Sequence, residues 1–130
     1  MDILFVNVPL VKTCVGGVCP SLSFLVLATH LRREGLDVEI YDPAVRYDLK
    51  AMDPGEMLSI IVGEVEARRP AVLGLSCKIP SDGVFSVKLA EAIKERLPDT
   101  VIVLGGLWPT PCWEEILRRF PAIDAVVQGE

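Results

Sequence analysis

Two apolar runs in this sequence end in residues that could meet a ligand. LGLS closes on Ser76 and is followed by Cys77, and VLGG closes on Gly105 and Gly106. A serine hydroxyl at a strand terminus either satisfies nearby backbone groups or projects into a ligand slot. A glycine pair there makes a turn, or lets the backbone approach a flat ligand closely because it lacks Cβ atoms. Trp108 follows at once, placed to cover a ligand or to pack on a helix. A third candidate is the stretch PLVKTCVGGVCPS after the first apolar run, where Gly16 and Gly17 could form an anion-binding nest or a flexible loop. It has neither G-x-G-x-x-G nor G-x-x-x-x-G-K-[ST], so nicotinamide binding and nucleotide hydrolysis are disfavoured. Cys14, Cys19, Cys77 and Cys112 all fall in these connecting segments. They are either small loop residues or soft ligands for a metal. The C-x4-C spacing of Cys14 and Cys19 is unlike the C-x2-C of a zinc knuckle.

The elements that would carry these residues follow from the hydrophobic pattern. Five short runs rich in β-formers, Ile3–Val8, Val38–Tyr41, Ala71–Ser76, Val101–Leu104 and Ala125–Gln128, are mostly continuous rather than alternating, as in strands covered on both faces. Helical spacing lies between them. Phe85, Leu89, Ala92, Ile93 and Leu97 share one helix face, as do Met57, Ile60, Ile61 and Val65. Leu22–Leu31 is apolar almost all round, which predicts deep packing or an interface. Asp53-Pro54-Gly55-Glu56 forms a helix start, and Arg68-Arg69-Pro70 a stop. Ser81-Asp82 is expected to cap the third helix, Thr110-Pro111 to open the fourth, and Gly35 to close the first. The order βαβαβαβαβ with right-handed crossovers predicts an α/β fold: a three-layer, doubly wound five-stranded parallel sheet, flavodoxin-like or Rossmann-like, in the order 2-1-3-4-5. Ligands then sit at the carboxyl ends of the strands, where the candidate residues cluster.

Composition bounds the partners. The 130 residues suit one domain, and 51% hydrophobic residues argue against disorder. A net charge of −5, with neither half basic, argues against nucleic acid or an anionic membrane surface. No run is long enough to span a membrane, and the start lacks the pattern of a secretory leader. A soluble cytoplasmic protein with reduced thiols is the expectation.

With these residues in view, the sequence resembles the cobalamin-binding domain at the N-terminus of many radical S-adenosylmethionine enzymes. The resemblance rests on ILFVNVP, PSLSFLVLATHLRREGLDVEIYD, PAVLGLSCKIPSDGVFSVKLAEAIKERLPDTVIVLGG and WPTPCWEEILRRFPAIDAVVQGE, and covers essentially the whole chain. It implies that cobalamin lies over the carboxyl edge with its nucleotide tail entering the domain. Ser76 would contact the base of the tail, and Gly105 and Gly106 would make room for it. Leu107, Trp108 and Thr110 would border the tail or the corrin edge, with Cys77, Ile79 and Gly129 beside them. The loop holding Val11, Cys14, Gly16 and Gly17 would lie under the corrin. The resemblance also implies that residues 1–130 are one domain, the N-terminal piece of a longer protein. A methyltransferase or related radical enzyme would be completed by a catalytic domain in cis or in trans, which would hold the 4Fe-4S cluster and S-adenosylmethionine.

Two departures qualify this. Methionine synthase and the mutases take an axial histidine from D-x-H-x-x-G in the first βα loop, and no histidine occurs in that loop here; the sole histidine, His30, lies in the first helix. The protein is therefore expected to leave cobalt without a histidine ligand. The C-x3-C-x2-C of the radical cluster is also absent, so this chain alone is not expected to be catalytic. Other readings remain. A flavodoxin-like redox module would need more hydroxyls than Thr13 in the first loop. A signalling receiver would need an aspartate where Ser76 and Cys77 stand. An interaction domain with a vacant ligand edge is the third.

Overall fold

The computed structural model describes residues 1–8, 21–49 and 51–129. The strands are β1 (Ile3–Asn7), β2 (Val38–Tyr41), β3 (Val72–Ser76), β4 (Val101–Gly105) and β5 (Ala125–Val126). They form one parallel sheet in the order β2-β1-β3-β4-β5. The helices are α1 (Leu22–Arg33), α2 (Pro54–Arg68), α3 (Pro80–Arg96) and α4 (Trp113–Arg119), the last preceded by a 3₁₀ turn at Thr110–Cys112. The expected flavodoxin-like α/β topology is thus the observed one, with β5 shorter than its apolar run.

Because the connection from β1 to β2 runs one way along the sheet and the later three run the other, the helices divide unequally between the faces. Side chains alternate along each strand, so register assigns each to a face. Leu4, Val6, Leu73, Leu75, Ile102 and Leu104 point to the face of α2, α3 and α4 and pack with Ile61, Val65, Leu89, Ile93 and Ile116. The opposite face holds a much smaller cluster, in which Phe5 and Val38 meet Phe24 and Ala28 of α1. Phe5 and Phe24 stack with centroids 4.7 Å apart.

The helix ends follow local chemistry. The Asp53 carboxylate accepts the N–H groups of Gly55 (2.9 Å) and Glu56 (3.2 Å), with Pro54 at the first helical position. Arg69 takes a left-handed conformation at the end of α2, and Gly35 (φ +88°) follows the end of α1. Helix α3 differs from expectation by starting at Pro80. Asp82 therefore caps it from inside the first turn, and its carboxylate accepts the N–H groups of Lys78 (3.1 Å) and Ile79 (3.3 Å). At the β2 edge, Arg68 bridges Glu39 and Glu64.

Helix α1 is not deeply packed, which rules out one of the two alternatives left open by its sequence. Only Phe24 and Ala28 are buried, while Leu22 (72% exposed), Leu25, Val26 (61%) and Leu27 face outward.

Candidate functional site

Asn7, Ser76 and Gly105 lie side by side at the carboxyl ends of β1, β3 and β4. Their register puts all three on the α1 face, the thinly covered one. Asn7 is fixed by a 2.8 Å bond from its amide to the Asp42 carboxylate, which also caps the next turn through the Ala44 N–H. Half-buried Ser76 has no hydrogen-bond partner among the described residues, so its hydroxyl is available. Beside it, a Cβ on Gly105 would find only the Val127 Cβ, at 3.9 Å. The Phe5 ring lies over Gly74 and closes the trough toward β1. Toward β4 and β5 it is bordered by Val103 and Ala125, both half-buried, and by Val101 (42% exposed) and Val127 (57%). The result is an apolar trough with hydrogen-bonding groups at one end.

The two glycines do different jobs. Gly106 has φ +110°, and a Cβ there would come within 2.2 Å of the Cys77 carbonyl oxygen. It is required by the crossing of two backbones, so the room expected for a ligand is at Gly105 alone.

Cys77 calls for a correction. Its alternation with Leu73 and Leu75 turns the thiol to the closed face, fully buried, where its Sγ lies 2.9 Å from the Ser86 hydroxyl. Burial pushes the thiol up to about 12, the Ser86 bond acts against this, and nearby Asp82 adds to it. A thiolate ligand from Cys77 on the ligand edge is therefore excluded. The Cys77 backbone does belong to that edge: its N–H bonds the Gly105 carbonyl (2.8 Å), and its carbonyl accepts the Trp108 N–H (3.3 Å). Cys112, half-buried, donates its thiol to the Trp108 carbonyl (3.1 Å). Among the described residues there is no group of three that could hold a metal ion.

The remaining candidates divide. The Thr110 hydroxyl donates to the Gly106 carbonyl (2.9 Å) and accepts the Gly129 N–H (3.2 Å), joining three candidate positions. Half-buried Ile79 precedes α3, Leu107 is exposed at the rim, and Trp108 packs against Gly83 of α3. His30 is exposed on α1, away from this row. Val11, Cys14, Gly16, Gly17 and Cys19 lie outside the described residues. Asn7 and its partner Asp42 were not among the sequence candidates; the signal for Asn7 was a lone polar residue inside the first apolar run, which the register sets opposite Ser76.

The carboxyl edge thus sets a hydroxyl without a partner beside a glycine, at the end of an apolar trough. The family model for the B12 binding domain covers residues 8–130. The chain belongs to that family. This B12 binding domain is also similar to the anaerobic magnesium-protoporphyrin IX monomethyl ester cyclase of Rubrivivax gelatinosus, with 27% identity over 117 residues, 89% of this chain and 20% of that protein. A second relative, an uncharacterized methyltransferase of Pyrococcus horikoshii, is 31% identical over 135 residues, all of this chain and 27% of its own length. The chain thus spans about a quarter or less of the curated relatives that it matches. The residues present fit a B12-type cofactor: Gly105 leaves space where a flat group would lie, and Ser76 offers it a hydrogen bond. No helix among the described residues is long and apolar enough to cross a membrane.

Proposed function

We propose that this B12 binding domain holds cobalamin at the carboxyl edge of its sheet, as the cofactor module of a radical S-adenosylmethionine methyltransferase or related enzyme. The observation that carries the reading is the pairing of Ser76, half-buried with a free hydroxyl, and Gly105, whose missing side chain leaves the trough open. When bound, cobalamin supplies the group-transfer chemistry of its cobalt. The chain's own part is to bind and orient. Ser76 hydrogen-bonds the nucleotide tail, Gly105 admits it, and Val103 and Ala125 give it an apolar wall. Leu107 borders the corrin, and Val11, Cys14, Gly16 and Gly17, outside the described residues, are assigned to the same cofactor by the resemblance alone. No histidine of this edge ligates cobalt, and the Cys77 thiol, turned to the closed face, does not replace one.

The catalytic chemistry belongs to a separate part, in cis or in trans, holding the 4Fe-4S cluster and S-adenosylmethionine. Two observations support this: the chain lacks C-x3-C-x2-C, and α1 offers an outward apolar row for a neighbouring domain. A cytoplasmic setting goes with this assignment.

The test is to mix the protein with hydroxocobalamin, separate it by gel filtration and measure affinity by titration. Cobalamin absorbance is expected to travel with the protein. Ser76→Leu and Gly105→Val should each weaken binding at least about tenfold while circular dichroism stays unchanged, and His30→Ala should bind as wild type. A colourless wild-type fraction would overturn the reading, and wild-type affinity in both slot variants would place the cofactor elsewhere.

A further inference from the structure

The end of β3 is gripped from two sides. On one side, the Cys77 peptide takes the last ladder bond from its N–H to the Gly105 carbonyl, and its carbonyl accepts the Trp108 N–H. On the other, the Asp82 carboxylate accepts the N–H groups of Lys78 and Ile79. Trp108 couples the two sides. Its backbone is bonded to Cys77, its carbonyl accepts the Cys112 thiol, and its ring lies on Gly83 in the first turn of α3. A Cβ on Gly83 would come within 2.4 to 2.7 Å of three ring carbons. The seat is therefore cut to fit, and a single methyl group would displace the indole.

Strand ends ordinarily fray, because their final hydrogen bonds lack neighbours. Here the final bond lies next to Ser76 and Gly105, so fraying would move both.

We propose that Trp108, seated on Gly83, is a positioning residue: it locks the last peptide of the β3–β4 ladder and so holds Ser76 against Gly105, rather than touching the cofactor itself. The importance of that locking for binding rests on the cobalamin reading; the locking itself does not.

Gly83→Ala and the double variant Gly83→Ala/Trp108→Leu separate the possibilities. In Gly83→Ala the methyl unseats the ring; in the double variant the shorter leucine clears the methyl. Amide hydrogen exchange, followed by NMR without cofactor, is expected to be at least about tenfold faster at Cys77 and Trp108 in Gly83→Ala, with Leu4 and Leu73 unchanged. Most of that protection should return in the double variant. Hydroxocobalamin affinity should fall about tenfold in Gly83→Ala and recover in the double variant. Unchanged exchange at Cys77 and Trp108 in Gly83→Ala would overturn the lock. A double variant that binds no better than Gly83→Ala, its amides again protected, would overturn the positioning role and make Trp108 a direct contact. If Gly83→Ala does not fold, Trp108→Leu alone should show about threefold faster exchange at Cys77, and wild-type exchange there would overturn the lock. If wild type takes up no cobalamin, the functional reading fails, and the exchange results still decide the lock.

Discussion

The two faces of the sheet are built to different standards. On the face of α2, α3 and α4, strand residues such as Leu73 and Ile102 are fully buried and packed on helices along their length. On the α1 face, one helix covers β1 and β2, and across β3 to β5 lie Ser76, Gly105 and partly exposed valines. Parallel sheets are normally covered on both sides. The closed face supplies the burial that sustains the fold, and the open half can therefore carry small and polar residues at little cost to folding. The candidate residues lie on the half of the sheet that contributes least burial.

The sharpest way to break this comparison is chemical. Cys77 sits on the ligand edge in sequence but on the closed face in space, and its thiol, raised to about 12, is almost wholly protonated at neutral pH. Alkylation of the native protein, mapped by mass spectrometry, should modify Cys77 about a thousandfold more slowly than the unfolded chain. Fast labelling would mean the thiol faces solvent after all.

The next effect is on stability. Leu73→Ala should cost about 3 kcal/mol in urea unfolding, because it opens a cavity in the closed face. Val101→Ala, on the open face, should cost under about 1 kcal/mol. Similar losses for both would show that the open half is covered in solution. The glycines give a subtler version of the same contrast. Gly106→Ala should lose about 2 kcal/mol through its positive φ and the collision with the Cys77 carbonyl. Gly105→Ala should leave stability within about 0.5 kcal/mol of wild type yet weaken cobalamin binding several-fold.

The smallest effects concern two carboxylates shifted in opposite directions. Burial raises Asp82 above its usual range, against the bonds from Lys78 and Ile79. Its native form thus holds a proton more tightly than the unfolded chain, and this contribution to stability declines as pH rises from the ordinary aspartate range through the raised value. For Asp124, burial also acts upward, but the Ile102 N–H (2.7 Å) and Lys94 (2.7 Å) outweigh it and hold the carboxyl low. Its contribution is present above the ordinary aspartate range and is lost as pH falls through the lowered value. Asp82→Asn and Asp124→Asn should therefore change the acid limb of a stability–pH profile with opposite signs. The readout is the sign of each variant's change in slope relative to wild type, from urea unfolding at a series of acidic pH values. Equal signs would show that one environment has been misassigned.

Much of this was legible in the sequence because it is local. The continuous apolar runs gave five strands, and the caps at Asp53 and Gly35 marked helix ends. The absence of any charged residue from 21 to 29 left deep packing and an interface both open, and only the structure, with burial limited to Phe24 and Ala28, removed the first. Ser76 and Gly105 were candidates because strand ends are where this topology binds ligands, and the register sets them side by side. The side taken by Cys77 was missed, since a run apolar on both faces hides its own alternation. The Trp108–Gly83 seat and the Thr110–Gly129 link join residues 25 and 19 positions apart, and no local rule predicts such meetings.

The place of β1 has a consequence for synthesis. Of the five strands this one is made first, yet it lies inside the sheet, with Ile3 paired to both Val38 and Val72. Its first neighbour arrives early, and its second only after α2 has been made. Until then β1 has one unpaired edge, and Phe5 lacks the glycine of β3 that its ring will cover. The growing chain must keep that edge from other partners while α2 is made, a wait that a strand at the edge of the sheet would not impose.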